Sequence, residues 1–397
     1  MDVILRDPFG WLWRTLVGLM TGVGLSEELA SLILKLVGAM VLTGLVLTLA
    51  GVFLTWLDRK LSARIQDRLG PNRVGPFGLL QPIADALKLV TKEDITPAGA
   101  DRVVYNLAPL LAVMSVVGLW AVVPFAPQLI GSDLNVGLLY LVSIGSIGTL
   151  AIIMAGWASN NKYALLGAFR TVAQLVSYEV PMVLALIVPT MLAGSMAMGE
   201  IVARQREVWF VFLAPLAALI FFISSLAEVG RTPFDLMEAE SEIVSGYNVE
   251  YSGMKFGMFY VAEFLHAFTI SALTATIFLG GWQGPGAAEY PLLGLVYFLI
   301  KTSVVYFAVT LMRFTLPRIR IDQMNDLNWK FLTPLALAVV MVTAVADKAA
   351  VEAGWSRLAA LLAANGALGL VTLAALAAQA RRMRRRIEAR VARAAGS

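Results

Sequence analysis

Long apolar runs separated by polar segments are the main pattern along the chain, and nine of them have the length of a membrane-spanning helix. The hydrocarbon core of a bilayer takes about 20 mostly apolar residues per helix. The strand-length alternation that a membrane barrel requires does not compete with these runs. The pattern therefore predicts an all-α polytopic membrane helical bundle with eight core transmembrane helices and a ninth. The predicted spans are 33–57, 103–126, 138–158, 172–193, 208–227, 257–280, 292–312, 331–347 and 358–380.

Two further helices are predicted in the first long polar loop, residues 58–102. Apolar residues recur at helical spacing from Leu61 to Leu69 and again from Leu79 to Val90, with charged residues on the other faces. The segment GPNRVGPFG between them stops both helices. We expect two amphipathic helices on the membrane surface. The apolar stretch at residues 9–24 is short and interrupted by glycines, and it predicts an interfacial helix rather than a cleaved signal peptide.

Composition agrees with a membrane protein. Hydrophobic residues make up 59% of the 397 residues and charged residues only 15%, compared with about 25% charged residues in soluble domains. This excludes an ordinary soluble enzyme, a disordered chain and a nucleic-acid-binding domain. The chain has no cysteine and one histidine, His266, which excludes cysteine-ligated clusters and argues against a haem site. Any redox centre involved must lie on another chain.

Basic residues predict the orientation. When alternate loops are grouped by side, 23 of the 31 Lys and Arg residues fall on one side, including the tail RRMRRR at 381–386. Loops rich in Lys and Arg stay in the cytoplasm. The N-terminus is therefore predicted outside and the C-terminal tail inside.

The predicted orientation does not explain the positions of the acidic residues. The loop 228–256 and its flanks carry seven acids and two bases on the side chosen for its positive charge. The simplest interpretation is a solvated acidic loop that binds a basic partner. Apolar residues between the acids favour a pocket instead. In the same way, an anchor on anionic lipid explains the arginines of loop 58–102 but not its aspartates, Asp58, Asp67 and Asp85.

Ionisable residues inside the spans are candidates for function, because burial of a charge in a membrane is costly. Glu179 and Glu263 lie within the fourth and sixth predicted spans, and Glu228 closes the fifth. Three carboxylates on three helices predict a lateral proton path, with Lys301 of the seventh span as the matching cation. His266 lies one turn from Glu263 and could share its proton, although a hydrogen-bonding core residue is the more common case.

Four blocks of sequence resemble a family of membrane subunits, the H subunits of the respiratory NADH:quinone oxidoreductase, complex I. They are DRLGPNRVGPFGLLQPIADALKLVTKED (67–94), GWASNNKYALLGAFRTVAQLVSYEVPM (156–182), AEVGRTPFDLMEAESEIVSGYNVEYSGMKF (227–256) and RFTLPRIRIDQMNDLNWKFLTP (313–334). The resemblance implies a membrane-arm subunit that forms the membrane side of a quinone chamber and couples quinone reduction to proton translocation. It implies a core at 33–347, an N-terminal extension at 1–32, and an extra helix with a basic tail at 348–397.

The resemblance also implies roles for residues and partners. The implied quinone-chamber residues are Asp58, Arg59, Arg68, Asp85, Arg231, Phe234, Asp235, Glu238, Glu240 and Glu242. The proton path comprises Glu179, Glu228, Glu263 and Lys301. The chain itself is expected to bind no cofactor; the quinone, a ubiquinone or a menaquinone, is its substrate. Expected partners are peripheral-arm iron–sulfur and flavin subunits at the cytoplasmic face, small and antiporter-like membrane subunits, and the lipid of a bacterial inner membrane.

One position departs from the family, and two other functions remain open. The family usually has Glu-Arg-Lys at the end of the first span, whereas this chain has Asp58-Arg59-Lys60, with a shorter acidic side chain. A stand-alone proton or cation transporter would also need buried carboxylates, and membrane-bound hydrogenases contain a similar subunit. The two long cytoplasmic loops argue against the transporter, and the GPNRVGPFG block favours the quinone enzyme over the hydrogenase.

Overall fold

The computed structural model describes residues 7–22, 26–237 and 244–395, and these residues form an all-α bundle. The helices, numbered in chain order, are α1 Pro8–Gly22, α2 Glu27–Thr48, α3 Thr55–Ile65, α4 Gln81–Thr91, α5 Arg102–Leu119, α6 Gly137–Ala158, α7 Lys162–Ala193, α8 Met198–Arg204, α9 Phe210–Leu213, α10 Pro215–Val229, α11 Gly253–Phe278, α12 Pro291–Thr315, α13 Ile321–Leu327, α14 Thr333–Ala353 and α15 Arg357–Ala395. Short π-helical segments, Leu49–Leu54 and Asn328–Leu332, join α2 to α3 and α13 to α14.

Eight helical stretches of the described chain are long and apolar enough to cross a membrane. The chain is thus a multi-pass membrane protein, and the all-α prediction is confirmed. All nine predicted runs fall on helices, but the fifth is shorter than predicted. It divides at Ala214 into α9 and the 15-residue α10, because Pro215 has no N–H to continue the preceding helix.

The first long helix includes one of the two predicted surface helices. From Glu27 to Ile65 the chain is helical over 39 residues, so the segment that begins at Leu61 continues the first span and ends before Leu69. No glycine or proline interrupts it after Gly51. Only α4 is a separate amphipathic helix of this loop.

Helix α7 is stabilised at a proline by a neighbouring side chain. Pro181 cannot donate a backbone hydrogen bond to Ser177, four residues earlier. The Nδ2 atom of Asn328, at the start of the second π-helical segment, donates to this Ser177 carbonyl. An unpaired carbonyl is costly in a membrane, and a neighbouring helix is the usual source of the missing donor. This contact compensates for Pro181, which lies two residues after Glu179 in α7.

Helix α11 is the most enclosed of the described spans. It packs against α4, α5, α10 and α12. Its central position places Glu263 and His266 where several helices meet, and it therefore organises the polar site.

Loop contacts divide the ends of the helices into two groups. At one end the N–H of Asp101 donates to the Ala158 carbonyl. At the other end the N–H of Leu138 donates to the Met196 carbonyl. Successive loops alternate between these two ends if the short helix α10 crosses the membrane. The nine predicted spans require that it does.

Candidate functional site

Asp58 is a buried carboxylate in α3 that binds two arginines from distant parts of the chain. Its Oδ1 lies 3.4 Å from Nη1 of Arg231, and its Oδ2 lies 2.9 Å from Nη1 of Arg313. The Arg231 side chain is 1% exposed, and its Nε lies 3.8 Å from Oε1 of Glu263. Its guanidinium also lies 4.9 Å from the ring centroid of Phe264. Because buried ions are stable only when paired, we treat this group as one ion cluster, which joins Asp58 to Glu263.

Arg59 and Asp85 connect α3 to α4. Nη1 of Arg59 donates to Oδ2 of Asp85 over 2.5 Å, and Nε2 of Gln81 donates to Oδ1 over 3.3 Å. Partial burial disfavours the charged carboxylate, but the hydrogen bond and the charge of Arg59 outweigh this effect and hold the pKa of Asp85 below its usual value. Asp85 is therefore ionised at neutral pH, and the pair fixes the amphipathic helix beside the first span.

Asp235 pairs with a base outside its own loop. Nη2 of Arg318, in the segment after α12, donates to Oδ2 of Asp235 over 2.6 Å. Asp235 also lines a cavity with Arg231. The remaining predicted acids of this loop lie outside the residues that the structure describes; they are Glu238, Glu240 and Glu242.

Two predicted chamber residues, Phe234 and Arg68, have other side-chain contacts. Phe234 is buried, and its ring centroid is 5.0 Å from that of Tyr178 in the core. Arg68 is exposed and donates from Nε to Oε1 of Gln66 over 2.8 Å. The structure thus brings Asp58 and Arg231 together, pairs Arg59 with Asp85 nearby, and leaves Arg68 at the surface.

Three small cavities follow one another from the ion cluster into the bundle. The first, about 50 Å³, is lined by Arg231 and Glu263. The second, about 80 Å³, is lined by Glu263, Glu228 and His266. The third, about 30 Å³, is lined by Glu228, His266 and Glu179. Each exceeds the roughly 10–15 Å³ that one water molecule needs, and each shares a carboxylate with the next.

The three carboxylates have different neighbours. Oε1 of Glu179 accepts a hydrogen bond of 2.7 Å from Oγ of Ser146. Oε1 of Glu228 lies 3.7 Å from Nε2 of His266. Glu263 faces Arg231 in the ion cluster. The arrangement can exchange protons between carboxylates through side chains and water.

A glutamine positions Glu228. Nε2 of Gln174 in α7 donates to the Ala227 carbonyl over 2.7 Å and to the Phe234 carbonyl over 2.8 Å. It thereby satisfies one of the last carbonyls of α10. Gly230, at φ 71°, then ends the helix in the left-handed conformation that favours glycine. Glu228 is held beside α7 and α11 as a result.

Comparison with known proteins shows the family to which the chain belongs. The family model described as NADH dehydrogenase matches residues 37–344. The chain belongs to the NADH dehydrogenase family. It is 50% identical over 309 residues to the H subunit of NADH-quinone oxidoreductase from Dehalococcoides mccartyi (strain CBDB1), which covers 78% of this chain and 86% of the relative. It is 50% identical over 307 residues to H subunit 2 of NADH-quinone oxidoreductase from Geobacter sulfurreducens, covering 75% and 92%. For the H subunit from Geobacillus kaustophilus the identity is 46% over 308 residues, covering 77% and 92%.

Lys301 of this NADH dehydrogenase family member lies apart from the carboxylates. Its Nζ donates to the carbonyls of Leu279 and Gln283 over 2.7 and 2.8 Å, and it lies 4.4 Å from the centroid of the Trp209 ring. Leu279 is 16 residues after Glu263, or about 24 Å along a helix. Lys301 lines none of the three cavities and caps the far end of α11, where a cation is favourable for the helix dipole.

Two functional candidates were missed at the sequence level, Arg313 and Arg318. Both were counted as orientation signals on the predicted cytoplasmic side, yet each pairs with an acid of the predicted chamber. The only signal in the sequence was the local excess of acids over bases near loop 228–256, which implied partners elsewhere. Among the described residues, no group of three His, Asp or Glu side chains is placed to hold a metal ion.

Proposed function

We propose that the chain is the H subunit of a proton-translocating NADH:quinone oxidoreductase, forms the membrane side of its quinone chamber, and couples quinone reduction to proton translocation. The names of the relatives and their coverage support the assignment. The observation that carries the coupling is the succession of three cavities from the ion cluster to Glu179.

The chamber is proposed where α3 and α4 meet the segment after α10. Arg59, Asp85 and the ion cluster of Asp58 supply charged groups there, which suit the carbonyl oxygens of a quinone ring and the protons that its reduction consumes. The exposed apolar residues of α4, such as Leu87 and Val90, suit an isoprenoid tail or lipid.

Glu263 is the proposed coupling residue. It contacts Arg231 and is shared by the first two cavities, so a change of charge near Arg231 alters the balance between its ionised and protonated forms. A proton released or taken up there then exchanges with Glu228 and Glu179 along the cavities.

The proposed setting follows from the same assignment. The end that carries Asp58 and Asp85 faces the cytoplasm and the peripheral-arm iron–sulfur subunits, and the N-terminus lies outside a bacterial inner membrane. Small and antiporter-like membrane subunits continue the row of carboxylates. Electrons arrive from partner subunits, whose flavin and iron–sulfur clusters this chain does not bind.

The coupling is tested with Glu263→Gln in the complete complex, reconstituted in vesicles. We expect NADH-driven proton pumping and coupled quinone reduction to fall at least tenfold, in line with the roughly 10²–10⁴-fold contribution of a positioned proton donor. NADH oxidation with an artificial acceptor in the peripheral arm should persist. Glu289→Gln, an exposed acid in the loop after α11, is the matched control. Unchanged pumping in Glu263→Gln would contradict the proposal.

The chamber is tested separately with a photoreactive quinone analogue added to the complex. We expect crosslinks on residues 58–102 or 231–256, and competition by excess native quinone. Crosslinks confined to other subunits would contradict a quinone chamber on this chain.

A further inference from the structure

His266 lies where the second and third cavities meet. It is on α11, one turn after Glu263, and its side chain lines both cavities. Its Nε2 lies 3.7 Å from Oε1 of Glu228, which lines the same two cavities. A proton that moves from Glu263 to Glu179 by way of the cavities must pass this pair.

The groups that face His266 are acidic. Glu228 faces it from α10, and Glu179 lines the third cavity from α7. Glu263 on its own helix and the phenol of Tyr247 line the second cavity. No lysine or arginine of the described residues lines either cavity. His266 is therefore the one described group of these walls that can become a cation.

The Nε2 atom of His266 also differs from that of an ordinary core histidine in its hydrogen bonding. A structural histidine in a core usually donates to a carbonyl or hydroxyl group. Nε2 of His266 and Oε2 of Glu228 are both buried, and neither has a hydrogen-bond partner in the described part of the chain. Buried polar atoms left unpaired are costly, by about 1–3 kcal/mol each. The Glu228 carboxyl, whose Oε1 is 3.7 Å away, can satisfy Nε2.

We propose that His266 is a proton-transfer residue that links Glu228 to Glu263 through the second cavity. This rests on the function proposed above and adds a residue to its path. In the transfer, the O–H bond of the Glu228 carboxylic acid breaks and an N–H bond forms at Nε2, which gives a carboxylate and an imidazolium. The imidazolium then loses a ring proton to the Glu263 carboxylate through water of the second cavity and is neutral again. The sequence is reversible, and no electron is transferred.

The geometry suits this role. The separation of 3.7 Å is slightly longer than a hydrogen bond, so a small side-chain rotation closes it. A neutral imidazole carries a proton on one ring nitrogen and can accept a second proton on the other, so it can pass a proton between two groups. A carboxamide in the same place could form the hydrogen bond but could not exchange the proton.

The test uses His266→Asn and His266→Gln in the complete complex, which place an amide near Nδ1 and Nε2 respectively. We expect coupled quinone reduction and proton pumping to fall at least about tenfold in both variants. We also expect the pH dependence of coupled turnover to change, because a protonatable group of the path has been removed. NADH oxidation with an artificial acceptor and native-gel assembly measure intactness. Thr274→Val, on the same helix but outside both cavities, is the matched control.

A purely structural histidine predicts a different result. At least one amide variant would then keep the wild-type rate and pH profile, and that outcome would overturn the proposal. Glu228→Asp is the second test, because it draws the carboxylate back from Nε2 while both groups stay ionisable. We expect slower coupled turnover in Glu228→Asp, and an unchanged rate would also count against the relay.

The two proposals fail in distinguishable ways. If Glu228→Gln and Glu263→Gln both pump normally, the proposed carboxylate path is wrong. If these variants lose pumping while His266→Asn and His266→Gln retain it with a normal pH profile, only the role of His266 is wrong.

Discussion

Asp58 is a buried carboxylate of the candidate chamber with two cationic partners. Its side chain is 8% exposed and it accepts from two guanidinium groups, those of Arg231 and Arg313. A buried ion pair adds little net stability over apolar packing, but removing one partner leaves an uncompensated charge. The stability of this region therefore depends on Asp58 more than its short side chain suggests.

We predict that Asp58→Asn destabilises the chain by about 3–5 kcal/mol, because Arg231 and Arg313 lose the buried anion that they share. The measurement is the midpoint of thermal inactivation of the purified complex, with the amount of assembled complex as a second readout. Asp326→Asn is the control, since the Asp326–Lys330 pair is exposed and such pairs contribute less than about 1 kcal/mol. Equal midpoints for the two variants would contradict the prediction.

Residue-level chemistry was only partly predictable from the sequence. Asp58, Asp85 and Glu263 stand out because acids are unexpected at those depths, and the structure gives each of them a basic partner. The partners Arg313 and Arg318 could not be assigned, because they lie 255 and 83 residues from the acids they bind. Pairing across such separations depends on how the helices pack, which hydropathy does not encode.

Among the elements, α4 is held beside the first span by a single strong ion pair, Arg59–Asp85. The pKa of Asp85 is held below its usual value in the folded chain. A carboxylate with a lowered folded pKa stabilises the fold above its unfolded pKa of about 3.9, and that contribution is lost as the pH falls through the folded pKa. The attachment of α4 should therefore weaken only in acid.

We predict that Asp85→Asn increases amide hydrogen exchange across Gln81–Thr91 at pH 7. The difference from wild type should shrink as the pH falls below about 3.9 and through the lowered folded pKa, where the wild-type carboxyl becomes neutral. Protection factors from mass spectrometry of the purified complex measure both effects. Lys88→Ala is the control, because Lys88 is exposed and lies 3.7 Å from Asp85. A difference that persists at low pH would indicate a cause other than the charge of Asp85.

Helix α15 docks on the break that shortens the fifth span. Nδ2 of Asn365, which is 1% exposed, donates to the Leu213 carbonyl over 3.1 Å, and its Oδ1 accepts from Oγ1 of Thr343 over 3.3 Å. Leu213 ends α9, and Pro215 has no N–H. Asn365 of α15 thus supplies a donor to one of the last carbonyls of α9.

We predict that Asn365→Leu lowers stability by about 1–3 kcal/mol, the cost of a buried carbonyl and hydroxyl left without partners. Thermal inactivation of the complex measures the loss, and proton pumping at low temperature should be unchanged because the cavities are remote from this contact. Thr372→Val is the control, since Thr372 bonds only within its own helix. A loss of pumping without a loss of stability would contradict this structural role.

The elements themselves were mostly predictable, and the exceptions have local causes. Apolar runs marked all nine predicted spans, because a helix surrounded by lipid has to be apolar. They could not mark the start of α7 at Lys162, ten residues before the predicted 172, because Lys162 and Arg170 interrupt the apolar run. They also missed the division at Ala214, where apolar residues continue across a backbone break.

At the scale of the whole molecule, two kinds of charge have separate roles. The predicted topology places most basic residues at one end of the bundle, which the positive-inside rule assigns to the cytoplasm. The acids of the site lie from that end inward, along α7, α10 and α11. In the proposed function, the cluster and the cavities form a path that starts at the predicted cytoplasmic end and passes between α7, α10 and α11.

The orientation gives the last prediction, and the absence of native cysteine makes it simple to test. Asp133→Cys and Glu289→Cys place single thiols in exposed loops at the end opposite to Asp58, and Lys330→Cys places one at the same end as Asp58. We expect a membrane-impermeant maleimide to label positions 133 and 289 in intact cells, and position 330 only in inverted vesicles. The reason is that 23 of the 31 basic residues are predicted at the end that carries Asp58 and Lys330, and such an end stays in the cytoplasm. The reverse labelling pattern would show that the chain has the opposite orientation, with the candidate chamber on the outside. Labelling of only one of positions 133 and 289 from outside would show that α10 does not cross the membrane.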